Sequence, residues 1–361
     1  MGKGATIAAH LTGRQKIKLF LRAVIAGFLF YSGVNALYRY STGRKQTVIL
    51  MYHRVLTHGD IEEYIQPGMY VTGETFEMQM RYLAAQYRVI ALDQLVTALR
   101  ERSTLVNNSC VITFDDGWRD TYTTAFPILR NYQLPATVFL VSDYVGTNGW
   151  FWPDRVAYLI ATSVKAMHSQ SWSETMYPVL RERGIFMILK SSQDSITQTI
   201  GAVIERMKQL DASERDKVLH ELEELFQGSR PFGRPMMVTW PQVLEMSRGG
   251  IHFGSHTKSH AILTKVSNKE ATEEIVASQE MIEKKLGTPC TLFCYPNGDR
   301  NDEVKTIVQN HYKAAVTTRH GSVNAQDDLW ALKRIAIHND VTYTKAMFAC
   351  RISGLLNLLR L

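Results

Sequence analysis

The feature that most constrains the fold of this chain is a regular alternation of short apolar runs with amphipathic segments. Short apolar runs bounded by turn residues are typical of buried strands, and amphipathic segments with apolar residues three or four apart are typical of helices. The predicted strands are residues 48–52, 88–92, 110–114, 136–141, 251–255, 291–295 and 314–318. The predicted helices are residues 75–86, 92–101 and about 121–132, a segment from Thr239 to Gly249, and a segment from Ser267 to Gly287. Strands that alternate with helices indicate parallel βα units.

Residues 143–235 interrupt this alternation. Strand-like runs are scarce there, and two polar helices dominate, one with Ile200 and Ile204 on its apolar face and one with Val218 and Leu222. We therefore predict a helical insertion at about 143–235 within a catalytic domain that spans 46–361. A chain of 361 residues with 45% apolar side chains is long enough for one large α/β barrel or for two ordinary domains.

The N-terminal 45 residues form a separate basic and hydrophobic segment. Residues 23–38 carry no charge and are flanked by Lys and Arg on both sides. At 16 residues this stretch is shorter than the roughly 20 that a spanning helix needs. It predicts a short membrane anchor, a signal peptide or a helix on the bilayer surface, with an amphipathic helix packed on the barrel as the alternative.

The positive charge of the chain is concentrated in this segment. The formal net charge is +7, and the excess lies before residue 46 and forms no groove-like pattern downstream. That distribution favours a membrane surface over nucleic acid as a partner. We expect membrane association through residues 1–45 and no nucleic-acid binding, with either side of the membrane possible.

Two adjacent carboxylates follow the strand CVITF, in the sequence Asp115-Asp116-Gly117. Adjacent carboxylates repel each other unless a cation or different protonation states accommodate them, so two distinct roles are expected. The structural alternative is a simple turn, because Asp-Gly is a common turn signal.

A histidine pair, His256 and His260, follows the strand IHFGS. A spacing of four places both imidazoles on one side of a helical turn, where they can share a metal ion. In a parallel α/β architecture the strand ends meet at one face, so Asp116 can join the two histidines there. One Asp and two His form a usual facial triad for a divalent ion.

The motifs TFDDG, HTKSH and FCYPNG, in this order and strand context, resemble the polysaccharide deacetylase family. This family of carbohydrate esterases includes the nodulation-factor chitooligosaccharide deacetylase, and the resemblance covers about residues 48–337 outside the insertion. It implies a distorted (β/α)7-type barrel that removes acetyl groups from N-acetylated sugars with a bound divalent metal. By position, Asp115 is the general base, and Asp116, His256 and His260 bind the metal. Zinc is the expected ion, with nickel or cobalt possible, because such a ligand set suits several ions.

The resemblance also implies an oxyanion site in the segment Tyr295-Pro296-Asn297, at the Asn297 backbone N–H. A tight turn explains the same residues, and both interpretations can hold. The chain departs from the family at Cys294, where many members have an arginine that orients the base. How Asp115 is held is therefore open at the level of sequence.

The general acid has two candidates. Many family members carry it in a Leu-x-His motif on the last strand, and the nearest counterpart here is His338, in a poor match. The biofilm poly-N-acetylglucosamine deacetylases form a circularly permuted branch whose last strand comes first. The stretch VILMYHRV resembles that strand, so His53 is the preferred acid and His338 the alternative. Asp328 and Trp330 resemble a later motif that tunes the acid and lines the pocket.

The predicted function is metal-dependent N-deacetylation of an N-acetylhexosamine-containing polysaccharide or glycan, which makes the chain a hydrolase of carbon–nitrogen bonds. Two alternatives are an inactive barrel that binds glycan in an exopolysaccharide assembly and a hydrolase of a non-sugar amide. The presence of Asp115, Asp116, His256 and His260 together favours an enzyme, because a binding module has no use for all four.

Overall fold

The computed structural model describes most of the chain. The described residues are 13–42, 47–61, 66, 68–103, 107–167, 174–190, 195–226 and 236–358. The predicted N-terminal segment and the predicted insertion therefore each lie partly outside the described residues.

In the described part of the chain, ten strands pair in parallel. They are β1 (Val48–Tyr52), β2 (Arg54–Leu56), β3 (Tyr70–Thr72), β4 (Arg88–Val89), β5 (Ser109–Phe114), β6 (Ala136–Leu140), β7 (Ile251–Ser255), β8 (Leu292–Cys294), β9 (Ala314–His320) and β10 (Leu332–Ala336). β1 pairs with β10 on one side and with β5 on the other, so seven strands close into a parallel ring. β4 pairs with β5 alongside this ring, and β2 and β3 form a separate pair. The expected (β/α)7-type barrel is confirmed.

The first and last strands of the ring are neighbours. Leu50 of β1 is in register with Ile112 of β5 and with Ile335 of β10. The N-terminal strand thus closes the barrel, which is the arrangement that a permuted chain requires.

Apolar side chains of the strands form two layers. One cluster contains Ile49, Val111, Phe139 and Leu332 together with the helix Leu92–Arg100. A larger cluster lies between the other side of the strands and the surrounding helices. The helices that contribute to it are Gly73–Gln86, Phe126–Asn131, Trp240–Arg248, Asn268–Leu286, Asp302–His311 and Lys345–Ile352. Both sides of the strands are therefore buried, as the continuous apolar runs in a parallel sheet require.

A second compact unit consists of residues 1–20, 58–68 and 150–234, and the described residues between 150 and 226 are mainly helical. Its helices are Trp152–Met167, Pro178–Glu182, Ile185–Lys190, Ile196–Lys208 and Ala212–Leu225. Ile200, Ile204, Val218 and Leu222 lie in its own apolar core, as their spacing predicts. The domain boundaries themselves stay a prediction.

Local sequence signals agree with the structure at several helix ends. Ser267 caps the helix Asn268–Leu286 through a capping box with Glu270, and Gly287 ends it in the left-handed conformation at φ 69°. The segment expected as one helix over about 121–132 is a π-helical turn, Thr121–Ala125, followed by an α-helix. β10 is not predicted by the sequence pattern, because the charged residues Lys333 and Arg334 interrupt its apolar run.

The N-terminal segment forms two helices, Gly13–Tyr31 and Val34–Thr42. Among the described helices, none is by itself long and apolar enough to cross a membrane. The two N-terminal helices together reach that length and hydropathy, but they are bent by 74° at the break between them.

Candidate functional site

The site lies at the carboxyl ends of the barrel strands. Asp115 and Asp116 follow β5, His256 follows β7, and His53 follows β1. Because parallel strands bring these ends to one face, residues far apart in sequence meet there.

The Asp115–Gly117 turn directs the two carboxylates to different partners. Asp116 and Gly117 both have left-handed backbones, at φ 76° and 79°. A Cβ on Gly117 would lie 2.8 Å from the Leu140 side chain, so only glycine fits this turn. The turn interpretation of the Asp-Asp-Gly sequence is therefore correct, and it is compatible with a functional role of the two carboxylates, which stays a prediction.

Asp116, His256 and His260 converge on one point. The Nε2 atoms of His256 and His260 lie 3.5 and 3.4 Å from Oδ1 of Asp116. One ligand atom from each of the three residues lies within 4.8 Å of the others. One carboxylate oxygen and two imidazole nitrogens at these separations fit a divalent ion with open coordination positions.

A backbone carbonyl fixes the orientation of His256. Its Nδ1 lies 2.7 Å from the carbonyl oxygen of Cys294, so Nδ1–H donates there and Nε2 is left with its lone pair toward Asp116. Burial lowers the pKa of His256 to about 4, and the neighbouring His260 acts in the same direction. The imidazole is therefore neutral at neutral pH, as a metal ligand must be.

The local structure around the histidine pair differs from the expected helical turn. His256 follows β7 directly, and an irregular loop with left-handed backbones at Thr257 (φ 68°) and His260 (φ 65°) brings the second ring into contact with the first. The helical prediction is wrong, although the two rings do meet, with centroids 4.8 Å apart. Glu274 holds this loop by accepting hydrogen bonds from the Ser259 backbone and hydroxyl.

Asp115 is held by an arginine that the sequence analysis did not identify. Arg334 of β10 donates hydrogen bonds of 2.7 Å to both carboxylate oxygens of Asp115, and it is fully buried. Burial acts to raise the pKa of Asp115, but the charge and hydrogen bonds of Arg334 outweigh it and lower that pKa. Asp115 is therefore an oriented carboxylate. The signal that could have found Arg334 is an arginine within the otherwise apolar stretch LKRIA.

Cys294 occupies the family's usual arginine position and contacts the same guanidinium. Arg334 donates to its sulfur at 3.2 Å. Asp115, His256 and Cys294 are also close enough to hold an ion. Burial keeps the pKa of the Cys294 thiol well above its usual range, and Asp115 is already engaged by Arg334. The Asp116 set is therefore the better metal candidate.

The two candidate acids differ in their contacts. His53 Nε2 lies 3.8 Å from Oδ2 of Asp115, and the side chain is 16% exposed. The ring of His338 instead contacts Asp340, with 3.1 Å between Nδ1 and Oδ2. His53 thus lies beside Asp115, whereas the ring of His338 contacts a residue two positions further along the chain.

Two of the predicted substrate residues, Tyr295 and Trp330, contact each other. Tyr295, Pro296 and Asn297 follow β8 at the carboxyl face, and Asn297 has a left-handed backbone at φ 57°. Trp330 precedes β10, and its carbonyl accepts a hydrogen bond of 3.1 Å from the Tyr295 hydroxyl. The indole N–H of Trp330 donates to the Tyr312 carbonyl, so it is engaged with the backbone.

Asp328 and two aromatic residues of the helical unit make structural contacts. Asp328 pairs with Lys305 at 2.5 Å, and its other carboxylate oxygen accepts a hydrogen bond of 3.0 Å from the Trp330 backbone N–H. In the helical unit, Phe151 is buried and Trp152 packs against that unit's core. These two aromatic side chains serve packing, which is the more common role of such clusters.

Arg54, next to His53, is linked to Asp116 of the candidate metal site through Trp118. Its Nε donates to Oδ2 of the buried Asp120 at 2.6 Å, and its guanidinium lies 4.1 Å from the Trp118 ring centroid. Trp118 Nε1 in turn donates to Oδ2 of Asp116 at 2.9 Å. This contact leaves Oδ1 of Asp116 facing the two histidines.

The sequence of this chain is similar to that of a known protein family. The model of the polysaccharide deacetylase family matches residues 103–315. A poly-β-1,6-N-acetyl-D-glucosamine N-deacetylase of Staphylococcus epidermidis is 27% identical over 116 residues, which are 30% of this chain and 40% of that protein.

Two solved structures share the fold. The deacetylase PplD of Streptococcus pyogenes, in complex with acetate, is 20% identical with a TM-score of 0.54, covering 83% of this chain and 96% of that one. IcaB from Ammonifex degensii is 18% identical with a TM-score of 0.53, covering 84% and 97%.

Proposed function

Since the chain belongs to the polysaccharide deacetylase family, whose members hydrolyse amide bonds of acetylated polysaccharides, we propose that it is a divalent-metal-dependent N-deacetylase of an N-acetylhexosamine polymer. The observation that supports this most directly is the convergence of Asp116, His256 and His260 beside the Asp115–Arg334 pair. A β-1,6-linked N-acetylglucosamine chain is the first substrate to test, because the Staphylococcus epidermidis relative is named for it.

The Asp116, His256 and His260 set would hold the ion, which we propose is zinc. A divalent ion bound there supplies a water of lowered pKa, toward about 7, and polarises the acetyl carbonyl. Trp118 fixes one oxygen of Asp116, and the Cys294 carbonyl fixes the ring of His256. These contacts orient two of the three ligand groups, Asp116 and His256, before an ion binds.

Proton transfer would be divided between Asp115 and His53. Asp115, kept ionised by Arg334, accepts a proton from the attacking water. His53, which is partly exposed, donates a proton to the leaving amine, because an amine leaves poorly unless protonated. The Asn297 backbone N–H is the proposed donor to the developing oxyanion.

Acetate release tests the proposal. The purified protein, loaded with Zn²⁺, Ni²⁺ or Co²⁺, is incubated with β-1,6- and β-1,4-linked N-acetylglucosamine oligomers. We expect release that is lost in Asp115→Asn with metal content retained, and lost in His256→Ala together with the metal. Oligomer binding without acetate release by the metal-loaded protein would favour the inactive glycan-binding barrel. Release that survives Asp115→Asn would exclude Asp115 as the base.

A further inference from the structure

The two N-terminal helices, Gly13–Tyr31 and Val34–Thr42, have one face on the barrel and one face in solvent. On the inner face, Ala26 is fully buried and its carbonyl accepts from the Cys350 thiol at 3.7 Å. The Phe30 ring lies 6.2 Å from that of Tyr82. The helix pair is therefore attached to the outside of the barrel.

Polar contacts hold the second helix, Val34–Thr42, against the barrel. The buried Asn35 accepts a hydrogen bond of 2.7 Å from the Ser353 hydroxyl. Arg39 donates to Gln86 at 2.8 Å and to the Tyr82 hydroxyl at 3.3 Å. Since both helices contact the barrel and are bent by 74° between them, their geometry is not that of a single straight span.

The outer face is a continuous apolar stripe. In the first helix the exposed large side chains lie three or four positions apart, at Ile17, Phe20, Leu21, Val24, Phe28 and Tyr31. Val34, Leu37 and Tyr40 continue it on the second helix. The fractional exposures are high, at 70% for Phe28 and Leu37 and 80% for Tyr31. A contiguous exposed stripe of this kind marks an interaction surface and is not ordinary scattered exposure.

The charge around the stripe identifies its partner. Before Asp60 the sequence has no acidic residue, and residues 1–45 contain eight Lys and Arg side chains: Lys3, Arg14, Lys16, Lys18, Arg22, Arg39, Arg44 and Lys45. Lys18, within the first helix, is exposed. An apolar helix face with aromatic residues and many cations matches an anionic lipid interface. A second copy of this chain would bring the same cations together, so charge disfavours self-association through this face.

We propose that this helix pair docks the barrel on the surface of an anionic lipid bilayer, with Phe20, Phe28, Tyr31 and Leu37 inserted at the headgroup level and no segment of the pair crossing the bilayer. The barrel is then held at the membrane surface by a face made of outer helices. The helix pair contacts the barrel through Tyr82, Gln86, Cys350 and Ser353. None of these four residues belongs to the carboxyl ends of the strands, where the proposed catalytic residues lie.

Vesicle co-sedimentation of the full chain tests the proposal. The protein is mixed with phosphatidylcholine vesicles containing either no or about one third phosphatidylglycerol. We expect at least tenfold tighter binding to the anionic vesicles, and roughly fivefold weaker binding for each cation removed in Lys16→Gln/Lys18→Gln. The triple variant Phe28→Ser/Tyr31→Ser/Leu37→Ser should lose most binding. Met281→Ser, which changes an exposed apolar residue of the helix Asn268–Leu286, should bind like the unmodified chain.

Three outcomes would overturn the proposal. Equal binding of the triple variant and the unmodified chain would exclude the stripe. Retention in the vesicles after an alkaline carbonate wash would indicate a spanning anchor. A dimer in lipid-free buffer that the triple variant dissociates would assign the face to self-association. Circular dichroism melting checks that the variants fold, and the charge variant, which removes no apolar side chain, keeps the test decisive if the triple variant unfolds.

Discussion

Arg334 and Asp115 form a bidentate ion pair inside the barrel, although they lie 219 positions apart in sequence. Two hydrogen bonds of 2.7 Å join the guanidinium to both carboxylate oxygens, and Arg334 also donates to Thr113 at 3.1 Å. The family resemblance implies an orienting arginine at the position of Cys294. In this chain Arg334 of β10 contacts the carboxylate instead.

Removing only one partner of this pair should be strongly destabilising. Arg334→Met leaves the Asp115 charge buried without its partner, so we expect a loss of about 3–5 kcal/mol in the free energy of unfolding. The double variant Arg334→Met/Asp115→Asn should regain part of the lost stability, but it should not release acetate. Urea unfolding measures both variants. Equal stability of the single and the double variant would contradict a coupled pair.

The same pair predicts a pH dependence of stability. The pKa of Asp115 is lower in the folded than in the unfolded protein, where it is about 3.9, since Arg334 outweighs the effect of burial. The carboxylate therefore stabilises the fold above that pH, and this contribution is lost as the pH falls toward the folded pKa. We expect the stability difference between the unmodified chain and Asp115→Asn to shrink between pH 6 and pH 3 in urea unfolding. A difference that is constant across this range would argue against the shifted pKa.

His53 and His338 provide a matched pair for identifying the acid. His53 lies 3.8 Å from Asp115, whereas the His338 ring contacts Asp340. His53→Ala should lower kcat by about 10²–10⁴ while the metal content stays near that of the unmodified enzyme. His338→Ala should change kcat by less than about tenfold on the same scale. The reverse order of effects would make His338 the acid.

Trp118 should control metal affinity without touching the ion. Trp118→Phe keeps an aromatic ring beside Arg54 but removes the hydrogen bond to Asp116, so we expect metal affinity to fall by about 10–100-fold. Trp330→Phe is the control, because it also removes an indole hydrogen bond, but one that goes to the Tyr312 backbone and not to a metal-ligand candidate. Isothermal titration with Zn²⁺ compares them. A similar loss in both variants would point to a general effect on folding.

Metal removal should lower thermal stability reversibly. An ion that binds only the folded chain stabilises it by about 4 kcal/mol at 1,000 times its Kd, so the Tm should fall by at least about 5 °C after chelation. Zn²⁺ should restore the Tm in the unmodified chain and in His338→Ala. It should have no effect in His256→Ala, and a full recovery there would exclude the Asp116, His256 and His260 set as the site.

The βα architecture and the main chemical groups of the candidate site could be predicted from the residues alone. Apolar runs such as Val48–Tyr52 and Ile251–Ser255 coincide with strands, because a strand buried on both faces needs a continuous apolar stretch. Asp115, Asp116, His256 and His260 could be named because they follow such strands, and strand ends meet in any parallel barrel.

The orientation of these groups depends on long-range contacts in the folded chain. The left-handed backbones at Thr257 and His260 that bring the imidazoles together are set by loop contacts, not by a helical repeat. The choice of Arg334 as partner of Asp115 depends on closure of the ring, which places β10 and β5 on either side of β1. Long-range pairing of this kind leaves no periodic signal in the sequence. For this reason Asp115 could be predicted from the sequence, whereas its partner Arg334 could not.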